Sequence, residues 1–202
     1  MNYAPSRVLT SEEKDLVWKY RFYLARDKRG LTKFVKSVTW RDPMEVKQAV
    51  EELLPMWTEI DTDDALELLG PGTVDSRVRA FAVKQLARAD DDVSIVFRAA
   101  ASSPDPFIAE FQELMLYLLQ LVQALKFESS ASDTRSSRST ASAVSYDDSG
   151  LADFLVTRAV KNHVLGYRLY WYLTVEVALE DRQIGKMYAK VIFNFRERLQ
   201  KV

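Results

Sequence analysis

Residue types that carry chemistry are scarce in this 202-residue chain. It contains no cysteine, which excludes disulfides and thiol chemistry, and one histidine, His163, so any metal site would depend on carboxylates. The glycines at 30, 70, 72, 150, 166 and 185 have no spacing that forms a phosphate-binding loop. The aspartates at 61, 63 and 64 lack the glycine and the distant glutamate of a calcium loop. The sequence therefore predicts no catalytic residue, no cofactor-binding residue and no metal ligand, with His163 at a helix end or on the surface rather than acting as a base.

Long hydrophobic runs and an overall excess of one charge are also missing. The most apolar run, Leu114 to Leu125, is interrupted by Gln120 and Gln123 and is shorter than the roughly 20 residues of a membrane span. Lys plus Arg number 28 against 29 Asp plus Glu, so the total charge gives no general attraction to nucleic acid. With no cysteine and no apolar leader at the N-terminus, these features predict a cytoplasmic chain that crosses no membrane.

The charges are unevenly distributed, although their sum is nearly zero. Residues 42–69 hold nine acidic residues and one basic, whereas residues 158–202 hold nine basic and four acidic. Two interpretations stay open for the basic end: it forms ordinary solvated helix faces, or it approaches an anionic membrane or an acidic partner.

Helix start and stop signals are what the chain has in abundance. Thr10 with Glu13, and Asp42-Pro43 with Glu45, have the form of capping boxes. Gly30 and Gly70-Pro71 supply stops, since glycine tolerates a left-handed C-terminal conformation and proline cannot continue a helix. A further break is expected at the aspartates 90–92.

Apolar residues recur at spacings of three and four through most of the chain, which is typical of amphipathic helices. The first helix is predicted over 11–29, with Leu16, Tyr20, Tyr23 and Leu24 as its apolar stripe. Residues 114–126 are apolar nearly all round and are expected to form the centre of the core. The aromatic group at 167 and 170–172 favours core packing over a stacking platform. Short helices in series predict an all-α fold, a single helical domain over 1–202 built as an armadillo/HEAT-like α-solenoid of antiparallel helix pairs.

Residues 129–149 differ from the rest because nine of these 21 residues are serines. With so little to bury, the segment is predicted to be a disordered loop within the domain. Either it is a tolerated surface insertion, or its Arg135-Ser136-Ser137-Arg138-Ser139 stretch is a site of phosphorylation.

Several sequence blocks together resemble one known family. They are Leu9–Glu13 leading into Leu16–Leu24, Trp57 with Asp64–Pro71, Val78-Arg79 with Phe81–Val83, Tyr117–Glu128, Phe154-Leu155 with Arg158-Ala159 and Asn162, and Leu169–Leu173. This pattern resembles the helical (accessory, or PIK) domain of phosphatidylinositol 3-kinases, and among these the class III enzymes of vacuolar sorting and autophagy. The resemblance covers nearly the whole chain.

The resemblance implies an α-solenoid that joins an N-terminal lipid-binding β-sandwich domain to a C-terminal kinase domain. It implies a parent enzyme that uses ATP and a divalent metal to phosphorylate the 3-hydroxyl of phosphatidylinositol on endosomal or autophagic membranes. It also implies two regulatory subunits as partners, one protein-kinase-like and one a coiled-coil autophagy protein. No catalytic motif of that family matches here, so this chain is expected to be a non-catalytic scaffold.

One segment departs from the family pattern. Removing residues 93–112 joins Asp92 to Glu113 and restores that pattern, and the segment begins with a valine codon and ends with a glutamine codon, as a retained intron running from GT to CAG would. The alternative is a genuine loop or extra helix, and Pro104-Asp105-Pro106 argues against a continuous helix there.

Other functions fit the same pattern. The chain could be a free-standing helical adaptor that binds proteins without an attached kinase, or the equivalent domain of a class I 3-kinase or of a phosphatidylinositol 4-kinase. An open reading frame that continues into a nucleotide-binding lobe would separate the kinase readings from the adaptor.

Overall fold

Helices account for all the regular structure in a computed structural model of the chain, which describes residues 7–100, 112–128 and 149–201. No strand occurs within those ranges, so the predicted all-α class is confirmed for the described residues. They divide into two compact units, Met1–Leu86 and Ala87–Val202. The Pro104-Asp105-Pro106 stretch lies outside the described residues, as does the predicted serine-rich loop apart from Ser149.

The first unit is built from short helices. They are α1 (Ser11–Lys19), α2 (Arg21–Leu24), a 3-10 turn (Lys28–Gly30), α3 (Leu31–Ser37), α4 (Pro43–Lys47), a π segment (Gln48–Leu53), α5 (Leu54–Met56), α6 (Thr62–Leu68) and the beginning of α7 (Ser76–Ala100). Helix α3 lies at the centre, because it contacts α1, α2 and α6 and buries Leu31, Phe34 and Val35.

The single helix predicted over residues 11–29 is wrong. It breaks at Tyr20, whose backbone leaves helical geometry between α1 and α2. Most of the predicted apolar stripe does not enter the core: Leu16, Tyr20 and Tyr23 are exposed, and Leu24 is half-buried. Trp18 packs inward instead, stacked on Phe34 with 5.9 Å between ring centroids.

One of the two predicted capping boxes forms. Thr10 Oγ1 accepts from the Glu13 backbone N–H, and the Glu13 carboxylate accepts from the Thr10 N–H. At α4, Asp42 accepts from Met44 N as a cap should, but the Glu45 carboxylate accepts from Thr39 N and so leaves the reciprocal bond unmade.

Pro55 lies inside α5, although a proline usually marks the end of a helix. A proline removes one backbone donor and its ring crowds the carbonyl four residues earlier. The π segment directly before it widens the helical turn, which is a known way for a helix to accommodate such a local misfit. The helix then stops at Trp57, whose backbone is extended.

The sequence predicted that Gly30 and Gly70 end helices in a left-handed conformation, but neither has a positive φ. Among the described residues only Gly150 has a positive φ, of 81°. Gly30 keeps a negative φ and is required for another reason: a Cβ on it would lie 3.1 Å from the Leu24 carbonyl oxygen and 3.3 Å from the Trp57 ring. Its lack of a side chain lets α2, α3 and the residue after α5 approach closely.

The second unit contains the remainder of α7 and helices α8 (Gln112–Ala124), α9 (Leu151–Lys161), α10 (His163–Leu179) and α11 (Arg182–Leu199). The predicted break at residues 90–92 is wrong, since α7 runs through them to Ala100. Helices α9, α10 and α11 pack against one another, and α8 packs against α10.

Helix α8 confirms the predicted core position of residues 114–126 on one face only. Leu118, Leu121 and Val122 are fully buried, whereas Leu116 is 74% exposed and Leu119 is 44% exposed. Tyr188 of α11 reaches this helix and donates its hydroxyl to the Val122 carbonyl oxygen over 3.2 Å. The core of the second unit thus lies along the Leu118–Val122 face of α8.

Candidate interaction surfaces

Side chains that could bind a metal ion or act in catalysis do not come together in the described part of the chain. His163 is the first residue of α10 and is exposed, as expected from the sequence. Within residues 7–100, 112–128 and 149–201, no three side chains of the His, Cys, Asp or Glu type come together in a way that could hold a metal ion. The same part of the chain has no helix that is long and apolar enough to cross a membrane.

Acidic residues cluster at the start of α6. Lys28 Nζ lies 2.9 Å from a carboxylate oxygen of Asp61 and opposes part of that charge. Burial raises the pKa of Asp64, and the neighbouring carboxylates of Asp61, Glu67 and Asp63 raise it further. The cluster is therefore electrostatically unfavourable in itself, although acidic residues in a first helical turn complement the helix dipole.

A small cavity lies beside α3 and α6. Its volume is about 260 Å³, and its walls are Thr32, Val35, Lys36, Glu67, Leu68 and residues 70–73. The charged groups in the wall, Lys36 and Glu67, pair with each other. The volume is below the range of typical small-molecule sites, and the mostly apolar wall suits a single side chain better than a cofactor.

A buried arginine organises the turn next to that cavity. Arg79 of α7 is completely buried, and its Nη1 donates to the carbonyl oxygens of Leu69 at 2.7 Å and Gly70 at 3.3 Å. These carbonyls lie at the C-terminal end of α6, where backbone acceptors lack intrahelical partners. The role of Arg79 is therefore structural, although its position in the sequence gave no sign of its burial.

The first uncovered apolar surface, here called the α1–α2 surface, consists of Leu16, Tyr20, Phe22 and Tyr23, which are between 46% and 75% exposed. Arg21 lies among them: its guanidinium is 4.7 Å from the Trp18 ring centroid and 4.9 Å from that of Phe22. Arg21 Nη1 also donates to the Trp18 carbonyl over 2.7 Å. The guanidinium therefore lies within cation–π distance of both the half-buried Trp18 and the exposed Phe22.

A second uncovered row follows one side of α10. Its members recur every three or four residues and are large and apolar: Val164, Tyr167, Trp171, Val175 and Leu179. The opposite side of the same helix buries Leu165, Leu169 and Leu173. A helix that is apolar all round is typically covered on both sides, so this exposed row is a candidate interaction surface.

The aromatic group at 167 and 170–172 was expected to pack in the core, and for two members this is wrong. Tyr167 is 67% exposed and Trp171 is 49% exposed. They pack edge to face on each other, with ring centroids 6.2 Å apart. Helical spacing alone predicted that these side chains share a side of α10 but could not tell which side the core would occupy.

The described part of the chain is all helical and carries exposed apolar side chains on α1, α2 and α10. Comparison with known proteins shows the family to which the chain belongs. A family model described as "Phosphoinositide 3-kinase family, accessory domain (PIK domain)" matches residues 1–97 and 108–202. This chain belongs to that family, and its resemblance to the helical domain of a class III phosphatidylinositol 3-kinase is confirmed.

Three relatives illustrate the relationship. A phosphatidylinositol 3-kinase of Schizosaccharomyces pombe is 45% identical over 202 residues, which cover 100% of this chain and 21% of that protein. The Arabidopsis thaliana phosphatidylinositol 3-kinase VPS34 is 40% identical over 200 residues, covering 99% and 19% respectively. The VPS34 protein of Saccharomyces cerevisiae is 36% identical over 216 residues, covering 87% and 22%. The chain spans about a fifth of the length of these relatives.

The family match also bears on the atypical segment. It leaves out residues 98–107, which lie within the 93–112 segment identified from the sequence. Residues 93–100 continue α7. The retained-intron hypothesis stays a prediction, and sequencing the mature transcript tests it directly: codons for residues 93–112 in the message would contradict it.

Proposed function

We propose that this chain is the helical scaffold of a class III phosphatidylinositol 3-kinase. The proposal depends chiefly on one observation, the match of the accessory-domain family to residues 1–97 and 108–202 of a chain that spans about a fifth of its kinase relatives. In this proposal the parent enzyme transfers phosphate from ATP, with a divalent metal, to the 3-hydroxyl of phosphatidylinositol. Those reagents bind a kinase domain outside these 202 residues.

The role of the chain itself is to position other parts of the enzyme. Its partners in cis are the kinase domain and an N-terminal β-sandwich domain, and its partners in trans are a protein-kinase-like subunit and a coiled-coil autophagy subunit. The α1–α2 surface supports this role, because a group of exposed apolar and aromatic side chains suits contact with another domain. The enzyme would act peripherally on endosomal and autophagic membranes.

The proposal is tested by extending the open reading frame and assaying the whole protein. The frame is expected to continue into a kinase domain, and the full-length protein with ATP and Mg²⁺ is expected to convert phosphatidylinositol to its 3-phosphate. The 202-residue chain alone should show no turnover. Phosphate at the 4-position would indicate a 4-kinase, preference for a phosphorylated substrate would indicate class I, and a frame without a kinase domain would indicate the adaptor.

A matched pair of variants tests the scaffold role in the full-length enzyme. Tyr23→Ser removes a ring that is 75% exposed on the α1–α2 surface, whereas Met44→Ser removes a side chain of equal exposure on α4. If the α1–α2 surface contacts another domain, Tyr23→Ser lowers the thermal stability of the full-length enzyme but not that of the 202-residue chain. Met44→Ser should change neither, and equal behaviour of the two variants would remove the support that this surface lends.

A further inference from the structure

The residues on either side of the segment 129–148 meet in a buried contact. Glu128 lies four residues after Ala124, the last residue of α8, and Ser149 directly precedes Gly150, the N-cap of α9. The Ser149 hydroxyl donates to Oε1 of the Glu128 carboxylate. Both residues are buried, Glu128 with 7% and Ser149 with 6% of its surface exposed. The contact therefore joins the end of the α8 region to the start of α9.

The Ser149 hydroxyl also organises the first turn of α9. Its oxygen accepts from the Leu151 backbone N–H over 3.3 Å, while its proton is donated to Glu128. The Leu151 N–H is one of the donors that have no partner within their own helix. A hydroxyl that accepts and donates at once strengthens both bonds, because each polarises the other. The Glu128 carboxylate also lies beside the positive end of the α9 dipole, which favours a negative charge.

The chain on each side of this contact is anchored in the second unit. A short helical stretch at 126–128 follows α8, and the Glu128 N–H donates to the Leu125 carbonyl over 3.1 Å. Gly150 has a φ of 81°, a conformation that glycine adopts at little cost. Leu125 and Leu151 are both fully buried. The positions of Glu128 and Ser149 are therefore set by the core next to them.

We propose that the Glu128–Ser149 contact is a clamp that fixes the junction between α8 and α9 in place of the chain that connects them. A hydrogen bond between these two side chains keeps their Cα atoms within about 10 Å of each other. About four extended residues span more than that distance, so the 20 residues from 129 to 148 exceed the required length roughly fivefold. A change within residues 129–148, phosphorylation included, is then not transmitted to α9. This inference concerns the fold of the chain and does not depend on the activity of a parent enzyme.

Replacement of residues 129–148 in the otherwise complete chain tests whether the junction is independent of them. A Gly-Ser-Gly-Ser linker in their place should preserve the helical circular dichroism signal. The urea midpoint should stay unchanged or rise slightly, because closing a shorter loop costs less entropy. Loss of helix or a lower urea midpoint would show that residues 129–148 themselves hold α9 in place, and would overturn the proposal.

A matched pair of variants at Ser149 tests the clamp itself. Ser149→Asn keeps a donor for the Glu128 carboxylate, whereas Ser149→Asp has nearly the same shape but brings a second negative charge against it. Because like charges repel strongly in a buried site, Ser149→Asp is expected to speed hydrogen exchange of residues 150–154 about tenfold. Ser149→Asn should remain close to the wild-type chain. Exchange in α1, which belongs to the first unit, should be the same in all three proteins.

A second substitution shows whether the effect acts through Glu128. Glu128→Gln removes the charge and keeps an acceptor, so adding it to Ser149→Asp should slow the exchange of residues 150–154 again. Glu128 makes a further interaction, so Glu128→Gln is also measured alone, and the double-mutant cycle isolates the coupling between the two residues. If Ser149→Asp prevents folding, recovery of the folded chain by Glu128→Gln gives the same answer. Additive effects of the two substitutions, or equal exchange in Ser149→Asn and Ser149→Asp, would overturn the proposal.

Discussion

A Cβ atom on Gly166 would lie 3.0 Å from Cζ of Phe195, so these two residues set how closely α10 and α11 approach. The same Cβ would lie 2.9 Å from the Ala159 carbonyl oxygen on α9, and the backbone there cannot move aside easily. The position therefore accepts only glycine where three helices meet. Nothing in the sequence distinguishes Gly166 from an ordinary weak point in a helix.

Replacing this glycine should destabilise the second unit. We expect Gly166→Ala to lower the free energy of unfolding by about 1–3 kcal/mol, as overpacking of a tight contact does. Gly72→Ala is the matched control, because no atom lies within 4 Å of a Cβ at that position and its φ is not in the left-handed region. Urea denaturation followed by circular dichroism measures both, and equal stability of the two variants would show that the three helices can move apart without cost.

Leu118 and Leu116 are two residues apart on α8, and replacement by serine should destabilise the chain at the first position but hardly at the second. Leu118 is fully buried and Leu116 is 74% exposed. Leu118→Ser is expected to cost about 3–5 kcal/mol, since it leaves a cavity and buries a hydroxyl. Leu116→Ser should change stability by less than about 0.5 kcal/mol. Thermal unfolding of the two variants makes the comparison, and a large loss in Leu116→Ser would mean that this side of α8 is also covered.

Arg79 should be more important for the first unit than its charge alone suggests. Arg79→Met keeps the aliphatic part of the side chain but removes the donor to the Leu69 and Gly70 carbonyls, and we expect a loss of about 2–3 kcal/mol. Lys84→Met, on an exposed site of the same helix, is the control and should be nearly neutral. Hydrogen exchange should also show faster exchange around residues 69–70 in Arg79→Met, and unchanged exchange there would contradict the assigned contact.

Tyr188 should make the second unit sensitive to alkali. Burial raises the pKa of its hydroxyl well above the usual value of about 10, with further increases from Glu176 and Glu180. Above pH 10 the unfolded chain releases this proton while the folded chain keeps it, so the free energy of unfolding falls as pH rises through and beyond 10. Tyr188→Phe should weaken that pH dependence and cost about 1 kcal/mol at pH 7 through the lost bond to Val122.

The control for the alkaline experiment is Tyr167→Phe, which removes a hydroxyl from a side chain that is 67% exposed. Urea midpoints measured between pH 8 and 11 should fall in parallel for this variant and the wild-type chain, and less steeply for Tyr188→Phe. Identical slopes for all three proteins would show that the buried hydroxyl does not control the alkaline loss of stability.

The family and the helical class were available from the sequence because both depend on local features. Thr10 and Glu13 form their capping box within four residues, and Asn162, quoted in the family blocks, caps α10 by accepting from the N–H groups of Val164 and Leu165. Such bonds are decided by neighbours along the chain.

What the sequence did not decide is which side of each helix is covered. The stripes on α1–α2 and α10 were expected to enter the core, yet Tyr23, Tyr167 and Trp171 are exposed. In α10 both sides are apolar, so periodicity has no contrast from which to choose. In α1–α2 the break at Tyr20 changes the rotational phase of everything after it.

By itself the sequence determined where α1 and α4 start, that the described residues are helical, and to which family the chain belongs, since caps, periodicity and motif blocks are properties of neighbouring residues. The tertiary structure decided that Arg79 is buried, that Gly166 has no room for a side chain, and that Tyr167 and Trp171 of α10 lie at the surface. Each of these depends on contacts between residues that are distant in sequence, and the energy of such contacts is defined only when the helices have packed.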